Sequence, residues 1–137
     1  MKATLLSMEG GEGTAAVVEI DGQEYECMDC FRYGKGPYPK VGDTFDAEFL
    51  ALYVRDRSGH PVIYENPGGA KKLLGLGGWR YQAYGEVVAV KPWTLMDCGG
   101  AVLNLSQAIT DPSAVGRLVS IEVQRLDGWR KRTDEGA

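Results

Sequence analysis

The chain has a single histidine, three cysteines and three phenylalanines, and no apolar run of membrane length. Each shortage excludes something. His60 stands alone between Gly59 and Pro61, so there is no histidine cluster for a metal and no evident partner for acid–base work; it reads as a surface turn residue. An odd cysteine count does not make a disulfide framework and fits a reducing compartment. The longest apolar stretch, Phe49–Val54, is strand-sized, whereas a membrane helix needs ~20 residues. Met1–Met8 carries one lysine and meets Glu9-Gly10-Gly11-Glu12 before a signal-length apolar core can build. It reads as the first strand of a cytoplasmic protein with no membrane partner. Serine-nucleophile and zinc-protease motifs are missing. Gly75-Leu76-Gly77-Gly78 lacks the Lys-Ser/Thr of a P-loop and the following helix of a dinucleotide site, so it reads as a flexible link.

What is present is a globular balance of 44% hydrophobic and 25% charged residues in 137, enough for one ordinary domain or two small units sharing a core. The net charge is −4, unevenly spread: residues 1–66 sum to −6 and residues 67–137 to +2. An acidic chain has little general affinity for DNA, although a local basic site in the second half stays open.

Nineteen glycines punctuate segments of period two, and no long segment sustains helical period. Thr14–Ile20 and Gln23–Met28 flank Asp21-Gly22, the signature of a type I′ hairpin. That pairing sets Val18 opposite Tyr25 and Ala16 opposite Cys27 on a core face, with Glu19, Glu24 and Glu26 on the other. Thr44–Arg55 alternates and then turns apolar on both faces. Pro61–Glu65 reads as an edge strand. Residues 67–80 read as a glycine-rich linker, with one helical turn over Ala70–Leu74. Strands are expected near Tyr81–Val90, Trp93–Met96, Ala101–Leu105 and Arg117–Leu126. Asp111-Pro112 opens a short capped turn.

The halves echo each other. Val17-Val18 recurs as Val87-Val88, Met28-Asp29-Cys30 as Met96-Asp97-Cys98, and Val41–Phe49 as Val115–Val123. Each half resembles an OB-type small barrel of the S1-like variety, most clearly over Gly85–Val90, Gly99–Leu105 and Val115–Asp127. The fold expected is therefore all-β, with little helix: two tandem OB-like units related by duplication, one in residues 1–66 and one in 81–137.

For chemistry, Cys27-x-x-Cys30 with Cys98 and His60 has the composition of a zinc site. On a strand, however, residues three apart face opposite ways, so neither metal nor cofactor is expected. Asp29 and Asp97 would be a carboxylate pair only if pseudo-symmetry joined them. Leu76-Gly77-Gly78-Trp79-Arg80 is echoed by Leu126-Asp127-Gly128-Trp129-Arg130. If the strands beside them pair antiparallel, Trp79, Arg80, Trp129 and Arg130 share one end, joined by Tyr81, Tyr84, Lys131 and Arg132. Such aromatic–guanidinium groups are platforms for single-stranded nucleic acid and hot spots for proteins. The leading expectation is a non-catalytic, protein-binding or inhibitory (toxin-neutralising) module, with Glu19, Glu24 and Glu26 facing a basic partner. The alternatives are a single-stranded nucleic-acid binder and, behind it, an enzyme on a small polar substrate.

Overall fold

A computed structural model describes residues 1–11 and 13–131. The described chain is all-β: β1 (Lys2–Met8), β2 (Ala15–Ile20), β3 (Gln23–Asp29), β4 (Thr44–Tyr53), β5 (Ile63–Glu65), β6 (Lys72–Gly77), β7 (Arg80–Ala89), β8 (Leu95–Asp97), β9 (Val102–Asn104) and β10 (Leu118–Arg130). One 3₁₀ turn, Pro112–Ala114, is capped by the Asp111 carboxylate accepting from the Ser113 N–H. No helix among the described residues is long and apolar enough to cross a membrane.

The β2–β3 hairpin has the register that its alternation dictates, with Val18 opposite Tyr25 and Ala16 opposite Cys27. Asp21 and Gly22 both take positive φ in the turn, 50° and 80°, as a type I′ geometry requires. Two expectations need correction. Ala70–Leu74 forms no helical turn. Lys72–Gly77 instead pairs antiparallel with β7, with Leu73 opposite Ala83, because its neighbour offers a free strand edge and glycine is a poor helix former. The last strand also does not end at Leu126. It runs through Asp127-Gly128 to Arg130 along β4. Gly128 is there for space rather than for a turn: a Cβ would lie 2.5 Å from Phe31 Cζ and 2.8 Å from Cys27 Sγ.

β4 and β10 pair antiparallel at the centre of the sheet. From them one ring of hydrogen-bonded strands runs β4–β1–β2–β3–β10, closing through the parallel β3–β10 contact. A second circuit runs β10–β7–β8–β9–β4, closing through the parallel β9–β4 contact. β5 resumes along β10 where β4 leaves off, after the Asp56–His60 turn. One continuous core fills the interior, with Leu5, Val18, Phe49, Val87, Leu103, Ile121 and Leu126 all at 0 or 1% exposure.

The sequence echoes fall unequally on this frame. Gly42 N–H donates to Leu5 O and Leu5 N–H donates to Asp43 O, a two-bond clasp between the β4 entry and β1. Gly116 N–H donates to Val87 O and Val87 N–H donates to Arg117 O, the same clasp between the β10 entry and β7. Both glycines have φ of 94°. By contrast, Met28-Asp29 ends β3 against β10, whereas Met96-Asp97 ends β8 in a hairpin with β9. Val17-Val18 lies in β2, and Val87-Val88 in β7 beside β10. Those two echoes therefore occupy different places in the strand order.

All three cysteines are buried. Burial, with the Asp97 charge beside it, pushes the Cys98 thiol from 9.0 up to about 12. Burial also drives Cys27 upward, with Asp29 adding to it. A raised acid favours the neutral form in the fold, so the stability it supports is complete below the unfolded pKa and is lost as pH rises through the folded one. Denaturant midpoints are expected to fall as pH climbs from 9.0 toward about 12, and a flat profile over that window would contradict this burial.

Candidate functional site

Between β3 and β4 the chain makes a long excursion, residues 30–43, rooted at both ends. At one root Cys30 N–H donates to Gly128 O at 2.9 Å, and Phe31 N–H donates to the Asp29 carboxylate at 3.0 Å. Phe31 is buried and meets Phe45 edge-on at 5.0 Å. The buried Asp29 carboxylate faces the Arg32 guanidinium at 3.4 Å without hydrogen-bond alignment, and Arg32 also reaches Met8 Sδ. At the far root Pro39 is buried. Held at these points, the loop lifts Tyr33 and Tyr38 outward, at 48% and 39% exposure.

The end of β10 meets those rings. Trp129, half-buried, stacks on Tyr33 with centroids 5.1 Å apart and planes 27° apart. Arg130 lies over the Tyr38 ring at 5.1 Å and donates to Tyr33 O at 2.7 Å and Pro37 O at 3.2 Å. Tyr38 in turn donates its hydroxyl to Gly34 O at 2.8 Å. Lys35, Lys40 and Lys131 are exposed around the cluster. Two cavities of about 220 and 150 Å³ share Glu48, Phe49 and Asn104; Lys131 lines the larger and Trp129 the smaller. Among the described residues the buried Trp129 indole N–H has no hydrogen-bond partner. The rings stack and the Arg130 guanidinium donates hydrogen bonds, while Glu48 sets a carboxylate opposite Trp129.

The other half of the aromatic–guanidinium echo sits elsewhere. β7 and β10 do pair antiparallel, but Trp79 O accepts from Leu126 N, three residues short of Trp129, or ~10 Å along a strand. Trp79 is half-buried and Arg80 exposed at the β6–β7 turn. Tyr84 carries Lys72 over its ring at 5.6 Å. Arg132 lies outside the described residues. Tyr81 is buried, and its hydroxyl donates to Glu26 O at 2.7 Å while accepting from Glu26 N–H at 2.8 Å. It closes the part of the β3 edge upstream of the short β10 contact, and burial pushes its phenol up to about 12. Tyr81→Phe strands both backbone groups and is expected to cost ~1–3 kcal/mol, read as a lower urea midpoint with an unchanged spectrum. Sequence pattern alone singled out neither Tyr33 nor Tyr38. Their signal was the spacing in Arg32-Tyr33-Gly34-Lys35-Gly36-Pro37-Tyr38-Pro39-Lys40, three cations and two aromatics without an acid.

Glu19 lies directly opposite Glu24 on the β2–β3 hairpin, and Glu26 is opposite Val17. Glu19 and Glu24 are exposed and Glu26 is half-buried. Among the described residues none of the three has a cation at ion-pair distance. Along β3, Glu24 lies ~17 Å and Glu26 ~10 Å from Asp29, where the loop to the aromatic cluster begins. Asp29 and Asp97 do not form a pair: Asp29 is buried against Arg32, whereas Asp97 accepts from Gly99 N–H and faces Lys71 at 3.7 Å. His60 is exposed in its turn, 3.8 Å from Asp56. Among the described residues no group of three or more His, Cys, Asp or Glu is placed to hold a metal. Comparison with protein-family models, curated proteins and solved structures found no match.

Proposed function

We propose that this chain is a non-catalytic binding module whose working surface is the Tyr33–Trp129 and Tyr38–Arg130 cluster, and that this surface takes single-stranded nucleic acid. The observation that carries the reading is the exposed Tyr33 ring stacked on Trp129 beside a guanidinium lying on Tyr38. Base-sized π faces next to exposed lysines bind bases by stacking and phosphates by charge, largely without regard to sequence. The loop contributes Arg32, Lys35 and Lys40 and no acid between Cys30 and Gly42, although the chain is acidic overall.

The strand order supports a scaffold of the OB type. In each circuit four antiparallel contacts and one parallel contact occur in the OB sequence, strand order one-two-three-five-four. The first unit takes β1–β4 as its own and borrows β10 as fifth strand; the second takes β7–β10 and borrows β4. The matching Gly42 and Gly116 clasps favour a duplication at an offset of 74 residues. In OB modules the second and third strands usually form the ligand face. In the first unit that face carries Glu19, Glu24 and Glu26, which repel phosphate, so the loop and the β10 end serve instead.

A second reading rests on the same glutamates. Like charges directly opposed on a hairpin are destabilising, and Glu19 faces Glu24. That arrangement suits docking of a basic protein, with the acidic face steering its approach.

The two readings separate in one experiment, fluorescence anisotropy of a labelled oligonucleotide. Tyr33→Ala is expected to weaken binding by ~1–3 kcal/mol, the usual worth of a stacked base, at an unchanged melting temperature because the ring is exposed. Glu19→Gln with Glu24→Gln is expected to leave binding intact or tighten it. Unchanged affinity in Tyr33→Ala would remove the platform from the account.

A further inference from the structure

The described strand order ends at β5 on one side and β6 on the other. The two edges are treated differently. β5 is three residues long, follows Pro61, precedes Pro67, and carries Glu65 in an ion pair with Arg117 at 2.6 Å. Proline, brevity and charge are the usual guards of an edge. β6 is twice as long, pairs only with β7 among the described strands, and contains neither proline nor an acid; its one irregularity is a register shift between Gly75 and Gly77. Leu74 and Leu76 are 47% and 40% exposed. Its lysines do not stand guard either. Lys71 is drawn back to Glu86 at 3.1 Å and Asp97 at 3.7 Å, and Lys72 lies over Tyr84. At Gly75 a Cβ would meet nothing within 4 Å, so the sheet face there is open.

We propose that this edge joins two copies of the chain, β6 against β6, antiparallel about a twofold axis. An open strand edge is satisfied by another strand, and a twofold contact must be self-complementary. β6 meets that condition. An antiparallel register centred on Leu74 sets Lys72 opposite Leu76 of the second copy, so no lysine faces a lysine. Leu74 then meets Leu74 across the axis, and Leu73 meets Gly75. The charge pattern selects this occupant, since the edge offers an extended peptide of either sign no opposite charge that is not already engaged. The β5–β10–β7–β6 strands would continue into the same strands of the second copy as one sheet, with Trp79 just past the end of β6 at its rim. The aromatic cluster lies outside this contact, so dimerisation and nucleic-acid binding are separable.

The test is sedimentation or light scattering of the full chain from ~1 to ~500 μM, because a reversible dimer follows mass action. The expected mass rises from one 14.9 kDa chain toward twice that value. Leu74→Lys with Leu76→Lys is expected to hold the mass at one chain throughout, with an unchanged circular dichroism spectrum and retained oligonucleotide binding. Gly75→Glu, whose side chain leaves into open space, is expected to do the same should the leucine variant fold poorly. Tyr33→Ala is expected to dimerise normally. A wild type that stays at one chain mass at all concentrations overturns the proposal. So does a dimer that survives in folded leucine or glycine variants.

Discussion

Phe49→Ala is expected to lower the unfolding free energy by ~3–5 kcal/mol, the range for deleting a buried aromatic side chain. Phe49 is fully buried and meets Tyr25 edge-on at 5.9 Å. Its position matters more than its size. It lies opposite Gly128 on β10 and alongside Leu103 on β9, so it stands where the two strand circuits share a wall. Because both circuits use β4 and β10, the loss is expected in one cooperative transition. With native stabilities near ~5–15 kcal/mol, the variant is expected to melt ~10–20 °C lower. Two resolved transitions, one of them unmoved, would show that the circuits are energetically separate.

The second large effect is steric. β7 changes partner at Gly85, pairing with β6 before it and β8 after it. There the β8 backbone crosses so closely that a Cβ on residue 85 would overlap the Asp97 carbonyl oxygen, lie 2.9 Å from its carbon and come within 3.2 Å of Cys98 Sγ. A glycine inside a strand commonly marks such an approach. Backbone yields less readily than a side chain, so Gly85→Ala is expected to cost at least the ~1–3 kcal/mol of ordinary overpacking, and Gly85→Val is expected not to fold. As an internal contrast, Gly75→Ala, where the space is open, is expected to be near neutral or slightly stabilising. Equal stability for the alanine variants at 85 and 75 would contradict the close crossing.

These particulars show what the sequence encodes locally. The Asp21-Gly22 hairpin was legible to the residue, because a two-residue turn fixes register and the alternation fixes the face. The Asp111-Pro112 turn was legible because its cap is local. The path of β10 was not. Asp127-Gly128 has the composition of a turn, and only the packing of Phe31 and Cys27 on Gly128 reveals a strand that must pass close beneath them. The same extension carries Trp129 away from Trp79, so the aromatic echo, read from sequence as one end, is divided between two places. β6 was hidden because its glycines carry no period and its strand character comes from a neighbour. The site was half legible: Trp129 and Arg130 stood out, but Tyr33 and Tyr38 come from a segment nearly a hundred residues earlier, and no local pattern announces a contact of that separation.

The measurement that bears most directly on the account is a titration of the wild-type chain with a short single-stranded oligonucleotide at two salt concentrations. Counterion release makes phosphate binding fall with salt, with a slope of about −0.7 per contacted phosphate on a single strand. The account predicts saturable binding that weakens with salt and a shallower slope in Arg130→Ala, whose guanidinium lies beside the Tyr33–Trp129 stack. No binding at physiological salt would contradict it, as would a slope that Arg130→Ala leaves unchanged.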